Sequence, residues 1–201
     1  MSPKPLLLAA MLLAAPVLTP PVTAQGQSEG YKFLQAVRDA KNDEVLAMLG
    51  RPGATPINAR DVSTGETALH IVVRRGDATY TRYLLSKGAD ANLRDGKGNT
   101  PMLLAAQLSQ ADLIPILVAG KANPNLANAS GETPLIRAVQ QRNLPTVRAL
   151  LAAKADPDQT DNVAGMSARD YAAQDSRYPA LAKLIADTPK RARAAVSGPR
   201  L

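Results

Sequence analysis

The chain has 201 residues and contains no cysteine, which excludes disulfide bonds. With a single histidine as well, a structural zinc site with the usual ligands is implausible. Most of the net charge of +7 comes from the ends, because nineteen of the 24 basic residues and all 17 acidic residues lie within residues 25–187, which leaves this region nearly neutral. With one phenylalanine, five tyrosines and no tryptophan, the chain also lacks an aromatic surface for stacking bases, so we expect no nucleic acid partner.

The N-terminal residues are typical of a secretory signal peptide. Lys4 precedes an apolar stretch, residues 6–18, and the small-residue sequence Val-Thr-Ala follows at residues 22–24. A transmembrane helix needs about 20 apolar residues, and this stretch is shorter and contains Pro16, although an uncleaved anchor is the alternative. We expect cleavage after Ala24, export to a bacterial periplasm, and no transmembrane segment in the mature chain.

The region that follows is built from an internal repeat with a period of 33 residues. Threonine, glycine, leucine and alanine each recur three times at this spacing: Thr67, Thr100 and Thr133; Gly65, Gly98 and Gly131; Leu84, Leu117 and Leu150; Ala89, Ala122 and Ala155. Such a period indicates one supersecondary unit copied head to tail, in which each copy buries its apolar face against its neighbours.

Helix signals divide each unit into two helices. The repeated threonine can cap the first helix through its hydroxyl, and Pro101 and Pro134 follow at the first helical position, where a missing N–H costs little. Gly88 is placed to end a second helix with positive φ. Lys121 and Lys154 occupy the matching positions in the next two units, which predicts helix ends that are more strained or differently shaped.

Two prolines test the positions of the second helices. Pro145 falls at the expected start of its helix and is compatible with it. Pro115 lies about one turn further in, where proline removes a backbone hydrogen bond. We therefore predict a late start or a kink in the helix that contains Pro115.

The signatures of the units resemble the ankyrin repeat. Residues 67–72 are Thr-Ala-Leu-His-Ile-Val, and residues 133–138 are Thr-Pro-Leu-Ile-Arg-Ala, close to the Thr-Pro-Leu-His-x-Ala signature of that family. The resemblance implies an all-α repeat solenoid of helix-turn-helix pairs with β-turn or hairpin tips, in about five units including atypical terminal caps. It also implies that His70 is structural and hydrogen-bonds within and between repeats, whereas Arg169 departs from the leucine of the family.

The expected organisation follows from this match. It comprises a signal peptide (1–24), a short disordered leader (25–29), an ankyrin repeat domain (30–187) and a basic disordered tail (188–201). Within the domain we assign an N-terminal cap repeat (30–61), three main repeats (62–94, 95–127 and 128–160) and a C-terminal cap repeat (161–187).

Catalytic patterns are missing from the sequence. An enzyme needs a nucleophile with a base, a metal cluster or paired carboxylates in a pocket, and no such set stands out. The segment 95–100 contains glycines and a lysine but lacks the spacing of a phosphate-binding loop. We therefore predict a protein that is not an enzyme, with no cofactor and no metal site.

The resemblance places partner contacts on the turn tips and on the exposed side of the first helices. It implies a non-catalytic protein-protein interaction scaffold in the periplasm, which we expect to be a monomer that binds an unidentified protein. The alternative for each side chain is an ordinary solvated helix face. The candidate partner-binding residues are Ser63, Thr64, Glu66, Arg74, Arg75, Lys97, Asn99, Gln107, Leu108, Glu132, Gln140 and Gln141.

The basic C-terminal tail supports a different hypothesis. Its cations, which include Lys190 and Arg191, could contact anionic envelope components weakly. On that hypothesis the chain is an envelope-associated structural protein held to anionic surfaces by the tail. A solubilising tail with no partner is the simpler alternative, because physiological salt screens such contacts.

Overall fold

The structure is a computed structural model that describes residues 28–51 and 56–190. Within these ranges the chain forms ten α-helices and no β-strand, so the predicted all-α repeat solenoid is confirmed. The signal peptide and residues 191–201 of the predicted tail lie outside the described residues. The helices are α1 (Glu29–Arg38), α2 (Asn42–Leu49), α3 (Ala68–Arg75), α4 (Ala78–Ser86), α5 (Pro101–Gln107), α6 (Leu113–Ala119), α7 (Pro134–Gln140), α8 (Leu144–Ala152), α9 (Ala168–Gln174) and α10 (Pro179–Ala186), with a short 3-10 helix at Pro56–Asn58.

The helices form five consecutive pairs that stack side by side. The first helices α1, α3, α5, α7 and α9 pack in chain order, and so do the second helices α4, α6 and α8. Their contact faces are apolar and fully buried, as at Leu69, Met102 and Leu135. Cohesion therefore comes mainly from neighbouring units, as expected for a solenoid.

The first helices begin where the sequence predicts. The hydroxyl of Thr100 accepts a hydrogen bond from the Leu103 N–H at 3.3 Å, and Thr133 caps α7 in the same way. In the last unit Ser167 replaces threonine and forms a reciprocal capping box with Asp170. The N-terminal helix starts at Glu29, one residue before the expected start of the domain, because the Ser28 hydroxyl accepts a hydrogen bond from the Tyr31 N–H and caps it.

The expected late start at Pro115 is confirmed. Helix α6 begins at Leu113 and has seven residues, whereas α4 and α8 each have nine and begin two residues earlier in the repeat register. Pro115 thus lies in the first turn of α6, where an N–H would have no intrahelical acceptor. Pro145 also lies in the first turn of its helix.

Asparagine side chains connect the ends of successive units. The Asn92 amide donates to the Lys121 carbonyl at 3.0 Å, and its oxygen accepts the Asn123 N–H at 2.7 Å. Asn58 makes the same two kinds of bond one unit earlier, to residues 88 and 90. These bonds satisfy backbone groups at the helix ends, which otherwise have no partner within the helix.

The second helices of the three main repeats, α4, α6 and α8, end with the same left-handed turn. The N–H of residue 122 bonds to the Leu117 carbonyl and that of Lys121 to the Val118 carbonyl, which is the Schellman pattern. Gly88, with a φ of 90°, ends α4 with the same pair of bonds. Lys121 and Lys154 adopt φ values of 64° and 65°, so these two ends have the shape of the glycine end and are strained rather than reshaped.

Replacing Lys121 and Lys154 by glycine is expected to stabilise the protein. Each substitution removes the clash of a Cβ atom in the left-handed conformation, which we expect to add about 1 kcal/mol to the free energy of unfolding. Together they should raise the melting temperature by about 4–8 °C. The matched control is Lys87→Gly, since Lys87 has an ordinary φ of −88° and its replacement should be neutral or destabilising. Urea unfolding in which all three variants behave alike would contradict the strain argument.

Candidate protein-interaction groove

A groove of about 830 Å³ crosses the turn tips and the first helices of the three central units. Its walls come from the tips near Thr64, Gly96 and Ala129 and from helices α3, α5 and α7. The repeat explains this arrangement, because residues 33 apart occupy the same place on successive units. The candidate residues that line the groove are Ser63, Thr64, Glu66, Arg74, Lys97, Asn99, Gln107, Leu108 and Glu132.

Three candidate residues lie elsewhere. Arg75 donates to the Val37 carbonyl at 3.1 Å, and its guanidinium also contacts Asp77 and lies 5.8 Å from the centre of the Tyr80 ring. This side chain therefore ties α3 to the preceding unit. Gln140 lines a separate cavity beside α9 and α10, and Gln141 lines neither cavity.

Four charged groups of the groove are paired within their own units. Arg74 bonds to Glu66, and Arg137 lies 2.9 Å from the Glu132 carboxylate. Because both carboxylates are largely shielded, with side chains 14% and 15% exposed, these pairs hold their charges in fixed positions. The two ends of the groove thus carry preformed ion pairs.

The middle of the groove is more apolar. Leu104 of α5 and Leu108, which directly follows this helix, line it between the two ion pairs, and Leu108 is 41% exposed. Gln107 and Lys97 add exposed polar groups beside them. An apolar centre with a polar rim is the typical composition of a protein-protein interface.

A chain of polar contacts joins the tips beneath this surface. Asn99, which is buried, donates to Asp95 at 3.1 Å and accepts from the Asn128 amide at 3.3 Å. Asn128 in turn donates to Glu132 at 2.9 Å. Backbone bonds reinforce the connection, since the N–H of Gly96 and that of residue 129 each bond to a carbonyl of the preceding tip. The tips are therefore held in register across the groove.

Asp61 organises the first tip. Its carboxylate accepts hydrogen bonds from the Ser63 hydroxyl at 2.6 Å and from the backbone N–H groups of Ser63 and Thr64, and Arg38 lies 2.5 Å away. The Ser63 hydroxyl, the Thr64 N–H and the Arg38 guanidinium together lower the pKa of Asp61 well below its usual range. The Ser63 hydroxyl is consequently engaged within the tip rather than free for a partner.

Sequence reasoning missed several residues that line the groove. Arg137 and Asn128 contribute to its polar surface, and Leu104 contributes to its apolar centre. The 33-residue spacing contains the signal for two of them, since Ile71, Leu104 and Arg137 share one position in the repeat. Their contribution depends on side-chain direction, which the spacing alone does not give.

His70 has the structural role that the resemblance implies. Its Nδ1 accepts the Thr67 N–H at 3.2 Å, and its Nε2 lies 2.9 Å from the Asn99 carbonyl of the next unit. The ring is completely buried. Since the Thr67 N–H can only donate, Nδ1 must accept and Nε2 carries the proton that is donated to Asn99.

Two further properties bear on possible functions. Nowhere in residues 28–51 and 56–190 do three or more acidic or histidine side chains come together in a way that could hold a metal ion. None of the helices in the described part of the chain has the length and apolar character needed to span a bilayer.

Comparisons with known proteins agree with this architecture. A family model for ankyrin repeats in three copies matches residues 33–128 and 109–193. An ankyrin repeat protein of Acanthamoeba polyphaga mimivirus is 39% identical over 87 residues, which cover 42% of this chain and 12% of the viral protein. An ankyrin repeat-containing protein of Schizosaccharomyces pombe is 39% identical over 80 residues, or 39% of this chain and 37% of that protein.

The neurogenic locus Notch protein of Drosophila melanogaster is 38% identical over 90 residues, which cover 42% of this chain and 3% of Notch. The chain thus spans only a small part of the length of these relatives. The family model, in contrast, covers most of the chain and coincides with the stacked helix pairs. On this evidence the chain belongs to the ankyrin repeat family.

Proposed function

We propose that this chain is an exported, non-catalytic interaction module that binds a protein partner in the groove formed by its three central units. Ankyrin repeats generally mediate protein-protein interaction, and proteins built from them are typically non-enzymatic scaffolds. The signal-like N-terminal sequence supports a periplasmic location for the mature protein.

The observation that carries the proposal is the arrangement of the groove. Leu104 and Leu108 lie between the Arg74–Glu66 and Arg137–Glu132 pairs. A partner side chain that packs on the leucines would be enclosed by polar groups that are already oriented. Because these groups are held by their own units and by linked tips, little conformational freedom is lost on binding.

Binding in the groove should depend on Leu108. A carboxylate at this position would lie in the apolar centre, so we expect Leu108→Asp to weaken partner binding by about tenfold or more. Val118→Asp is the matched control, because Val118 is exposed to a similar extent, 37% against 41%, and lies on α6 outside the groove. Both variants should have melting temperatures close to that of the unchanged protein.

The experiment begins in cells with a photo-crosslinking amino acid at Lys97, and with the same group at Arg148 on α8 as a positional control. The partner captured from the periplasmic fraction is purified, and its affinity for the two aspartate variants is measured by calorimetry. Equal affinities for the Leu108 and Val118 variants would place the contact outside the groove. Recovery of the chain only from the cytoplasm, with residues 1–24 still attached, would reject export.

A further inference from the structure

A second cavity lies at the C-terminal end of the solenoid and shares no lining residue with the groove. It measures about 390 Å³, within the range of small-ligand pockets, and lies between α7, α9 and α10. Its apolar lining comes from Val139, Ala172 and Leu181, and Tyr178 forms part of its rim.

A change in helix ending distinguishes the unit that bears this cavity. The first helices of the four preceding units are each followed by a residue with positive φ, namely Ala40, Gly76, Ser109 and Arg142. After α9 the backbone instead leaves the helix at Asp175 with φ −89° and ψ 84°. The segment from residue 175 to 178 lines the cavity before α10 begins.

Two arginines line the cavity and share one carboxylate. The Arg142 Nε lies 2.5 Å from Asp175 Oδ2, and the Arg177 Nε lies 3.3 Å from Asp175 Oδ1. Arg142 also lies 5.3 Å from the centre of the Tyr178 ring, which fixes the plane of one guanidinium beside the rim. Two positive charges against one negative charge leave an excess positive charge at the cavity.

Both guanidinium groups contact Asp175 through Nε, and the Arg177 backbone N–H also donates to its Oδ1 at 3.3 Å. Among the described residues the terminal Nη atoms of Arg142 and Arg177 have no hydrogen-bond partner. A guanidinium donates through a planar fork that matches the two oxygens of a carboxylate. The cavity therefore presents unused donors beside a buried apolar surface.

From this geometry we propose that the cavity binds a carboxylate carried on an apolar group, with the carboxylate at Arg142 and Arg177 and the apolar group against Val139, Ala172 and Leu181. This chemistry has two sources in a peptide: the free carboxyl terminus of a chain that ends in an apolar residue, or an acidic side chain next to an apolar one. The inference does not depend on the groove, because no residue is shared.

The test is an NMR titration of the ¹⁵N-labelled protein with N-acetyl-leucine and with its neutral amide. We expect saturable shifts of the amides in residues 174–181 with the acid, and binding weaker by about tenfold with the amide, since a charge-assisted hydrogen bond is lost. A parallel titration with acetyl-Leu-Glu-amide and acetyl-Leu-Gln-amide tests the acidic side chain. Whichever acidic probe binds more tightly identifies the source.

Arg177→Gln should weaken the binding of the acidic probes by about tenfold and leave the binding of the neutral probes unchanged. The Arg177 side chain is 72% exposed, so its replacement should leave the fold intact. Arg148→Gln, an exposed change on α8, is the control and should bind like the unchanged protein. Equal binding of acid and amide, no effect of Arg177→Gln, or no shifts up to about 10 mM of probe would each overturn the proposal.

Discussion

Arg169→Leu is expected to destabilise the last unit of the solenoid by about 2–3 kcal/mol. The Arg169 guanidinium donates to both oxygens of Asp158, at 2.7 and 3.3 Å. It also donates to the Ile185 carbonyl at 2.6 Å and to the Thr188 carbonyl at 3.0 Å. Leucine, the residue that the family has at this position, would remove all these bonds, and of the carbonyls at the end of α10 Ile185 would keep only the bond from the Thr188 N–H.

The effect should be local because each unit contacts only its neighbours. Hydrogen exchange measured by mass spectrometry should show faster exchange in residues 168–187, while residues 68–107 keep their protection. Arg169→Lys should lose most of the stabilisation as well, since an ammonium group cannot reach both the carboxylate and the carbonyls in the geometry of a planar fork.

Arg148→Leu provides the control for a lost arginine on an exposed helix face and should leave the exchange of α10 unchanged. If Arg169→Leu gave the same exchange as this control, the bonds to the helix end would contribute nothing. Arg169 would then be a tolerated departure from the family pattern rather than the group that closes the solenoid.

The features that sequence predicted best are those governed by local rules. The capping roles of Thr100 and Thr133 follow from hydroxyls next to prolines, and the late start of α6 follows from Pro115. The repeat spacing then gives the stacking of equivalent helices, because every unit has the same apolar face to bury. No long-range information was needed for these steps.

The features that sequence missed depend on side-chain direction and loop path. Arg75 and Leu108 share one position in the repeat, yet Arg75 bonds back to the Val37 carbonyl while Leu108 lines the groove. The outcome depends on which acceptors the preceding unit offers, and these lie more than 30 residues away. The cavity beside α9 likewise depends on the backbone at Asp175, and Ser176 and Arg177 gave no signal for that conformation.

The stability of the protein is expected to fall as the pH is lowered from 7 to 5, and His70 should account for most of this change. Burial lowers the pKa of His70 below its ordinary value of 6.5, although the bond to Asn99 opposes the shift. In the unfolded chain the ring takes up a proton near pH 6.5. Because the unfolded state then binds more protons than the folded state, stability is lost as the pH falls below that value.

The geometry explains why the folded state resists protonation. A proton on Nδ1 would face the Thr67 N–H, which lies 3.2 Å away and is itself a donor. Two donors would then oppose each other in a site that excludes water. The bonds from the Ser63 hydroxyl to Asp61 and from Arg142 to Asp175 lower the pKa values of those two carboxyls. Protonation of the carboxyls therefore reduces stability only at still lower pH.

The measurement is urea unfolding at a series of pH values between 5 and 8. The free energy of unfolding should be flat above pH 7.5 and should decrease below pH 6.5 with a slope that approaches about 1.4 kcal/mol per pH unit. His70→Leu should remove the slope while preserving the fold, because Leu103 and Ile136 occupy the equivalent positions in the next two units and are fully buried there. A slope that persists in this variant would show that another group titrates between pH 5 and 7. A flat profile in the unchanged protein would show that the buried ring remains protonatable in the folded state.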